Sequence, residues 1–478
     1  MKNSFPVRIY CAALVLRLIP VLLTRGLGIG LDDMFQYDML ARSLASGNGF
    51  RWYAQEDLKL LEPYVDFDLS TAKEYDPQYG LYTSFRAPLY PTFLAIVYFF
   101  SGLDVSRFFA VRLAQAVFLG APLAPLTYLV SRRLFSDSEK TAKISAWIVA
   151  CYPMLLVYPL GLGTENLFFV LFLASFLFLL KSIESPSPVH FLLSGLLLAL
   201  ATLTRSVILP FAGLAILYLY YLHRRRALLS AFAFVLVIAP WILRNSLLHN
   251  KLTGIETSMG YNLYLGYHPE GNGSFVFGPS LDLLTIMDDA ERDKVGTQKA
   301  LGFITAQAER LIPLAVSRLG LFFGLEKRVL MYFYSNNLIG FIPKPALLTI
   351  SVVLLLPFVL VSTSAVFGSS FLRRNPQTIL LILLLFCYVL PHVLILSEDR
   401  FHLALIPFFA ILAAHCWSGG TQALSARWHE SGTGKLAVSL ALFALVLLLF
   451  NWGFELHRDA DKITALLGLD GNKTYFPY

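Results

Sequence analysis

The chain has 478 residues, of which 56% are hydrophobic and 14% charged, with a mean hydropathy of +0.63. That charged fraction is far below that of a soluble protein, and many apolar runs reach the roughly 20 residues that cross a bilayer, so an all-α polytopic membrane protein is expected. The net charge of +7 collects in short loops between apolar runs, which argues against a nucleic-acid surface, and Cys11, Cys151, Cys387 and Cys416 lack the spacing of a disulfide framework or metal site.

A first span is expected over about 7–27, with Lys2 and Arg8 on its cytoplasmic flank. No small-residue cleavage site follows it, so it is read as a retained helix. Arg17 lies inside this span, where a charge either snorkels or faces a cavity or partner. Gly30-Leu31-Asp32-Asp33 then opens a helical pattern in which Met34, Tyr37, Leu40, Ala41 and Leu44 share a face. Asp33 is the expected N-cap and Gly47-Asn48-Gly49 the expected stop. A carboxylate at a helix N-terminus is kept ionised by the peptide dipoles, and at a membrane surface it suits a general base. The plain alternative is that Asp32 and Asp33 only cap a helix. An acid- and tyrosine-rich loop, about 28–86, closes with Ser84-Phe85-Arg86-Ala87-Pro88-Leu89-Tyr90-Pro91.

The apolar stretch 88–101 reaches about 21 Å as a helix, against a hydrocarbon core of about 30 Å. It is read as re-entrant or incomplete. Only then do the basic loops at Arg132, Arg133, Lys140 and Lys143, and at Arg224, Arg225 and Arg226, fall together on the cytoplasmic side. Spans are expected at about 107–130, 144–160, 164–181, 189–204, 206–222 and 227–243. A second outer loop, about 244–312, is rich in Gly, Asn and Asp. Residues 313–334, interrupted by Arg318, Glu326, Lys327 and Arg328, are read as interfacial. Spans at about 345–367, 378–396, 401–417 and 436–452 complete a set of eleven, thirteen at most, with the C-terminal tail outside.

This topology brings unusual polar residues to the outer face: Asp32, Asp33, Arg86, Glu165, Arg205, Arg244, Asn245 and Glu398-Asp399-Arg400. Each arginine alone reads as an interfacial anchor. Together, on a side where orientation rules predict few arginines, they suit an anionic head group, because guanidinium binds phosphate in bidentate fashion and stays charged.

The order of these motifs resembles the membrane-embedded GT-C glycosyltransferases, specifically the protein O-mannosyltransferase and aminoarabinose–lipid A transferase group. The matching pieces are Asp32-Asp33, Arg86-Ala87-Pro88-Leu89-Tyr90-Pro91, Thr164-Glu165 and Leu203-Thr204-Arg205. Further on come Pro240-Trp241-x-x-Arg244-Asn245, Gly260-Tyr261-Asn262-Leu263 with Gly266, and Arg400-Phe401. Relatives often carry Asp-Glu where this chain has Asp-Asp. The lysine frequent before the Pro-Leu-Tyr motif of the aminoarabinose branch is absent, which argues against that donor.

The resemblance implies a catalytic module over 1–312 and a C-terminal transmembrane region over 313–478. It also implies a sugar donor on polyprenyl phosphate and an acceptor hydroxyl on a glycan, lipid or protein. Asp32 would be the base and Asp33 secondary, with Arg86, Arg205, Arg244 and Arg400 at the donor phosphate. Glu165 would orient groups or hold a divalent cation, although no cofactor is required. A bacterial inner membrane with an outward-facing site is the expected setting. The competing class is a transporter or lipid flippase, which would place ionisable groups near mid-membrane in paired halves. A structural assembly subunit is the third, and the paired acids disfavour it.

Overall fold

A computed structural model describes residues 4–69, 72, 74–430 and 432–475; Lys2 lies outside them. Helices build almost everything. Among the described residues the only strand pair is Arg51–Trp52 (β1) against Leu81–Tyr82 (β2), antiparallel.

Helix α1 (Phe5–Leu23) leads to the face that carries α2 (Asp33–Ala45) and the short α3 (Gln55–Leu61). Gly47 and Gly49, with φ of 79° and 84°, end the α2 region where the sequence predicts a stop. The start of α2 differs by one residue from expectation. Asp32, not Asp33, is the cap, accepting from the Met34 N–H at 2.8 Å. Asp33 is the first helical residue, and its side chain is turned to tertiary partners instead.

Helix α4 (Leu89–Ser101) does not cross. At its start, the Leu89 N–H donates to the Leu203 carbonyl at 3.0 Å and Tyr90 packs edge-on against Tyr37 of α2. Near its end, the Tyr98 hydroxyl donates to Asp38 at 2.8 Å, and so does Arg107 just beyond. Both ends therefore lie beside α2 on one face, as the short length and the charge distribution predict. From there α5 (Arg107–Ala114), a π turn (Gln115–Gly120) and α6 (Leu123–Leu134) form one long crossing unit.

Helices α7 (Glu139–Cys151) and α8 (Pro153–Val157) return across the bundle, bent by 54° together with the turn that follows. Pro153 has no N–H, so the carbonyl four residues back, on Val149, loses its helical partner. Arg17 supplies the replacement. Fully buried, it donates to Val149 at 3.1 Å and to Ala150 at 3.2 Å. Snorkelling is thus not what Arg17 does.

Helix α9 (Thr164–Glu184) is the central element, with Phe168, Phe172 and Phe176 fully buried. Helices α10 (Pro188–Thr202), α11 (Leu209–His223) and α12 (Leu228–His249) follow. Ser230 at the start of α12 donates to the Phe191 carbonyl of α10 at 2.8 Å, and Ile238 joins Ala199 and Leu203 in one apolar cluster. Helices α10 and α12 therefore run the same way, and the chain turns back between them at Arg224, where φ is 53°.

The second long loop carries α13 (Met259–Tyr267), α14 (Phe277–Asp282) and α15 (Asp289–Ala306). Gly260 and Gly266 face the Asp293 and Ile395 carbonyls so closely that a Cβ would stand 1.9 Å from either oxygen. Helix α16 (Leu311–Phe322) follows, and the segment behind it stays on this face. Arg318 donates to carbonyls at 393 and 394, and Arg328 meets Glu398 at 2.8 Å. That matches the interfacial reading. Helices α17 (Lys344–Ser370), α18 (Pro376–Leu394), α19 (Ile406–Glu430), α20 (Gly432–Arg458) and α21 (Ala460–Leu466) complete the chain.

Among the described residues eight helical units are long and apolar enough to cross a membrane, or nine with the bent pair counted as one span, against the eleven expected and thirteen at most. The difference has two sources. Helix α10, with 15 residues, falls short of the required length. The run Ser206–His249, 44 residues long, counts once although the chain reverses inside it. The largest core cluster extends from Ile9 to Trp452 and so joins both sequence regions. The basic loops meet on the face opposite α2, where Phe135 and Phe371 both pack on the His415 ring.

A carboxylate–arginine cluster as candidate active site

The site residues come from places where helices begin or end, at which charged groups can reach solvent without crossing the apolar layer. Asp32 stands in the turn before α2 with its side chain open to solvent. One of its oxygens is held by the Met34 N–H, and Gly30 leaves room beside the other. Crowding by the surrounding protein and the adjacent Asp33 push its proton affinity above the ordinary carboxylate value, against the pull of Arg400 and Arg328.

Asp33 shows the opposite shift. It pairs with Arg86 and lies 3.7 Å from Arg400. Burial alone would raise its pKa, but these two guanidinium groups hold it below the ordinary value. Two neighbouring acids thus have proton affinities pushed apart, the pattern of a base beside a fixed anion.

Arg86 is spent within this corner. Besides Asp33 it donates to Gln36 Oε1 from Nε at 2.9 Å and from Nη2 at 2.6 Å, over the ring of Tyr37. Glu165, the second residue of α9, meets Arg205 Nη1 at 2.6 Å. The same nitrogen donates to Thr164 at 3.2 Å. Among the described residues the other nitrogens of Arg205 make no hydrogen bond. Arg400 is the hub, with Glu398 at 2.8 Å, Asp33 at 3.7 Å and Glu165 at 3.8 Å.

The structure therefore gathers Asp32, Asp33, Arg86, Glu165, Arg205 and Arg400. It does not bring Arg244 among them. Arg244 donates to the Thr83 carbonyl at 2.5 Å and to Asn245 at 2.9 Å, with its guanidinium over Trp241. Its contacts make it a tether on the strand end three residues ahead of Arg86. The same strand end is tied to α15, where Asp289 accepts from Thr83 Oγ1 at 2.5 Å and from the Ser84 N–H at 2.8 Å.

Two further participants had no role assigned from the sequence, although Glu398 stands in the outer-face constellation. Glu398 accepts from Arg328 Nη1 and forms an ion pair with Arg400 Nε, each at 2.8 Å. Arg328 sits in the charged triplet that interrupts 313–334, and that interruption is the signal that marks it. Among the described residues no group of three or more His, Cys, Asp or Glu is gathered for a metal ion. Glu165, the residue read as orienting or cation-holding, faces two arginines.

Residues 86–244 match the model of the dolichyl-phosphate-mannose-protein mannosyltransferase family, a stretch that opens on Arg86, closes on Arg244 and contains Glu165 and Arg205. Fold and site together define a polytopic all-α membrane protein with a charged cluster on one face. Over residues 86–244, about a third of its length, the chain is similar to that mannosyltransferase family. Among solved structures it is similar to the oligosaccharyltransferase AglB from Archaeoglobus fulgidus in complex with an inhibitory peptide and a dolichol-phosphate. The identity is 13% and the TM-score 0.49, over 99% of this chain and 56% of that one. It is also similar to ArnT from Cupriavidus metallidurans bound to undecaprenyl phosphate. There the identity is 14% and the TM-score 0.39, over 89% and 80% of the two chains. The chain thus spans little more than half the length of the oligosaccharyltransferase. No curated protein matches the sequence.

Proposed function

We propose that this protein is an inverting glycosyltransferase that moves a sugar from a polyprenyl-phosphate donor to an acceptor hydroxyl at the outer face of the membrane. The observation that carries this reading is the exposed, high-affinity Asp32 beside arginines whose donors are only partly used. The acceptor oxygen attacks the anomeric carbon as its proton passes to Asp32. The bond from that carbon to the phosphate oxygen breaks on the opposite side, through an oxocarbenium-like state.

The departing lipid phosphate gains negative charge, which Arg205 and Arg400 stabilise by turning from Glu165, Asp33 and Glu398 towards it. Arg86 acts through Asp33, fixing its carboxylate rather than binding phosphate itself. Glu165 keeps Arg205 oriented until the donor arrives.

The test is transfer of a radiolabelled sugar from polyprenyl phosphate by the purified protein; no transfer with any such donor sinks the reading. The orientation rests on the basic loops of the opposite face. On a background with the four native cysteines changed to serine, Ser138→Cys should be shielded from an impermeant outside label and Asn272→Cys should react. Labelling of both from one side overturns the outward-facing site.

A further inference from the structure

Beneath the cluster lies a second polar group that the proposed chemistry does not use. Glu326 is 2% exposed and His402 0%. Glu326 Oε1 accepts from the Tyr152 hydroxyl at 2.6 Å and faces His402 Nε2 at 3.0 Å. His402 Nδ1 lies 2.6 Å from the Phe322 carbonyl, which can only accept, so Nδ1 carries a hydrogen. Nε2 and Oε1 must then share one proton between them. Phe358 stacks on the imidazole with ring centres 4.4 Å apart and closes the group off.

Two residues beyond Glu326 is Arg328, and two residues before His402 is Arg400. These are the two arginines that grip Glu398. The segment carrying Arg328 is not regular helix, and side chains pin it from outside. Trp452 Nε1 donates to the Phe323 carbonyl at 2.8 Å, and the Leu325 N–H donates to Glu455 at 2.9 Å. None of those pins fixes Arg328 relative to Arg400. Glu398 does, and Asp399 stands 3.9 Å from Arg328, but an incoming phosphate would compete with these carboxylates for the same guanidinium groups. A link independent of Glu398 and Asp399 is needed if the two arginines are to keep their spacing while they change partners.

We propose that Glu326, His402 and Tyr152 are positioning residues that set the spacing of Arg328 and Arg400, and thereby the width of the cleft that receives the donor's phosphate. This rests on the reading of the cluster as a phosphate site. A buried polar group of this kind is a poor source of stability compared with apolar packing, whereas a misplacement of about 1 Å at a charged site costs up to about 100-fold.

The experiment is equilibrium binding of undecaprenyl phosphate to the full-length protein in nanodiscs. Glu326→Gln should weaken binding about tenfold and Tyr152→Phe about threefold, with melting temperatures near wild type. Added to Arg328→Ala, either change should cost almost nothing more, because spacing a missing arginine has no effect. A full further loss on that background, or unchanged affinity in both single variants, overturns the proposal. Should Glu326→Gln fail to fold, Tyr152→Phe, which removes one oxygen and keeps the ring, carries the same test. A wild-type protein that does not bind the lipid overturns the phosphate reading itself and this inference with it.

Discussion

The helical layer and the site face use arginine in two different ways. Arg17, buried among the crossing helices, gives its donors to main-chain carbonyls, as does Arg112, which reaches the Leu160 carbonyl at 2.8 Å and Gly28 at 2.7 Å. Arg86, Arg205, Arg328 and Arg400 face carboxylates instead. A carbonyl is part of the backbone and cannot be exchanged for a ligand. A carboxylate partner can give way to another anion of similar shape. The same residue type is therefore a structural staple in one layer and an exchangeable receptor in the other.

The largest expected effect lies on the carboxylate side. Asp32→Asn should lower the rate of sugar transfer by about 10²–10⁴-fold. Asparagine caps helices as well as aspartate does, so the melting temperature should not move. Near-normal turnover would shift the base to Asp33 or Glu165.

The arginines come next. Arg205→Ala and Arg400→Ala should each weaken binding of polyprenyl phosphate by about 10–100-fold while the fold persists. Unchanged affinity in both would reduce them to membrane anchors and erase the contrast between the two layers. Arg17→Ala should do the reverse. It leaves buried carbonyls at the Pro153 break without a donor, at a cost of about 1–3 kcal/mol, and lowers the melting temperature in detergent without changing lipid affinity.

The smallest effect is a displacement along the pH axis. Asp32 must be ionised to take a proton, so turnover falls as pH drops through its raised pKa. The charge on Asp33 is one cause of that raised value. Asp33→Asn removes it, lowers the pKa of Asp32 and should move the acidic limb of kcat/KM to lower pH, with partial activity retained. An acidic limb that stays in place would mean that Asp33 does not tune its neighbour.

Much of this arrangement is legible in the sequence because hydrophobic length and charge position act locally. The 13-residue α4 and the charged interruptions before Arg328 announce segments that do not cross. Side-chain partnership is less legible, since it depends on residues far away in the chain. Which aspartate caps α2 is decided by Arg86, 53 residues on, which draws Asp33 away from the helix end. Arg244 carries the family motif, yet its partner is the Thr83 carbonyl, 161 residues earlier. Arg328 meets the site at Glu398, 70 residues later. Glu326 and His402 read as ordinary polar residues until folding sets them face to face.

The flat course of α4 gives the bilayer itself a part in the site. Its exposed edge carries Phe99 and Phe100, 73% and 82% exposed, while Arg86 stands just ahead of its first turn. Apolar side chains of this kind on an interfacial helix sink about 5–10 Å into the boundary between head groups and acyl chains. A thinner or thicker membrane would raise or lower that edge relative to the crossing helices, at fractions of a kcal/mol per ångström. Because Tyr90 on Tyr37 holds the start of α4 to α2 and the Asp38 pins hold its end, the displacement would pass to the Asp32 corner as a tilt. Lipid chain length then becomes a tuning variable for the proposed reaction.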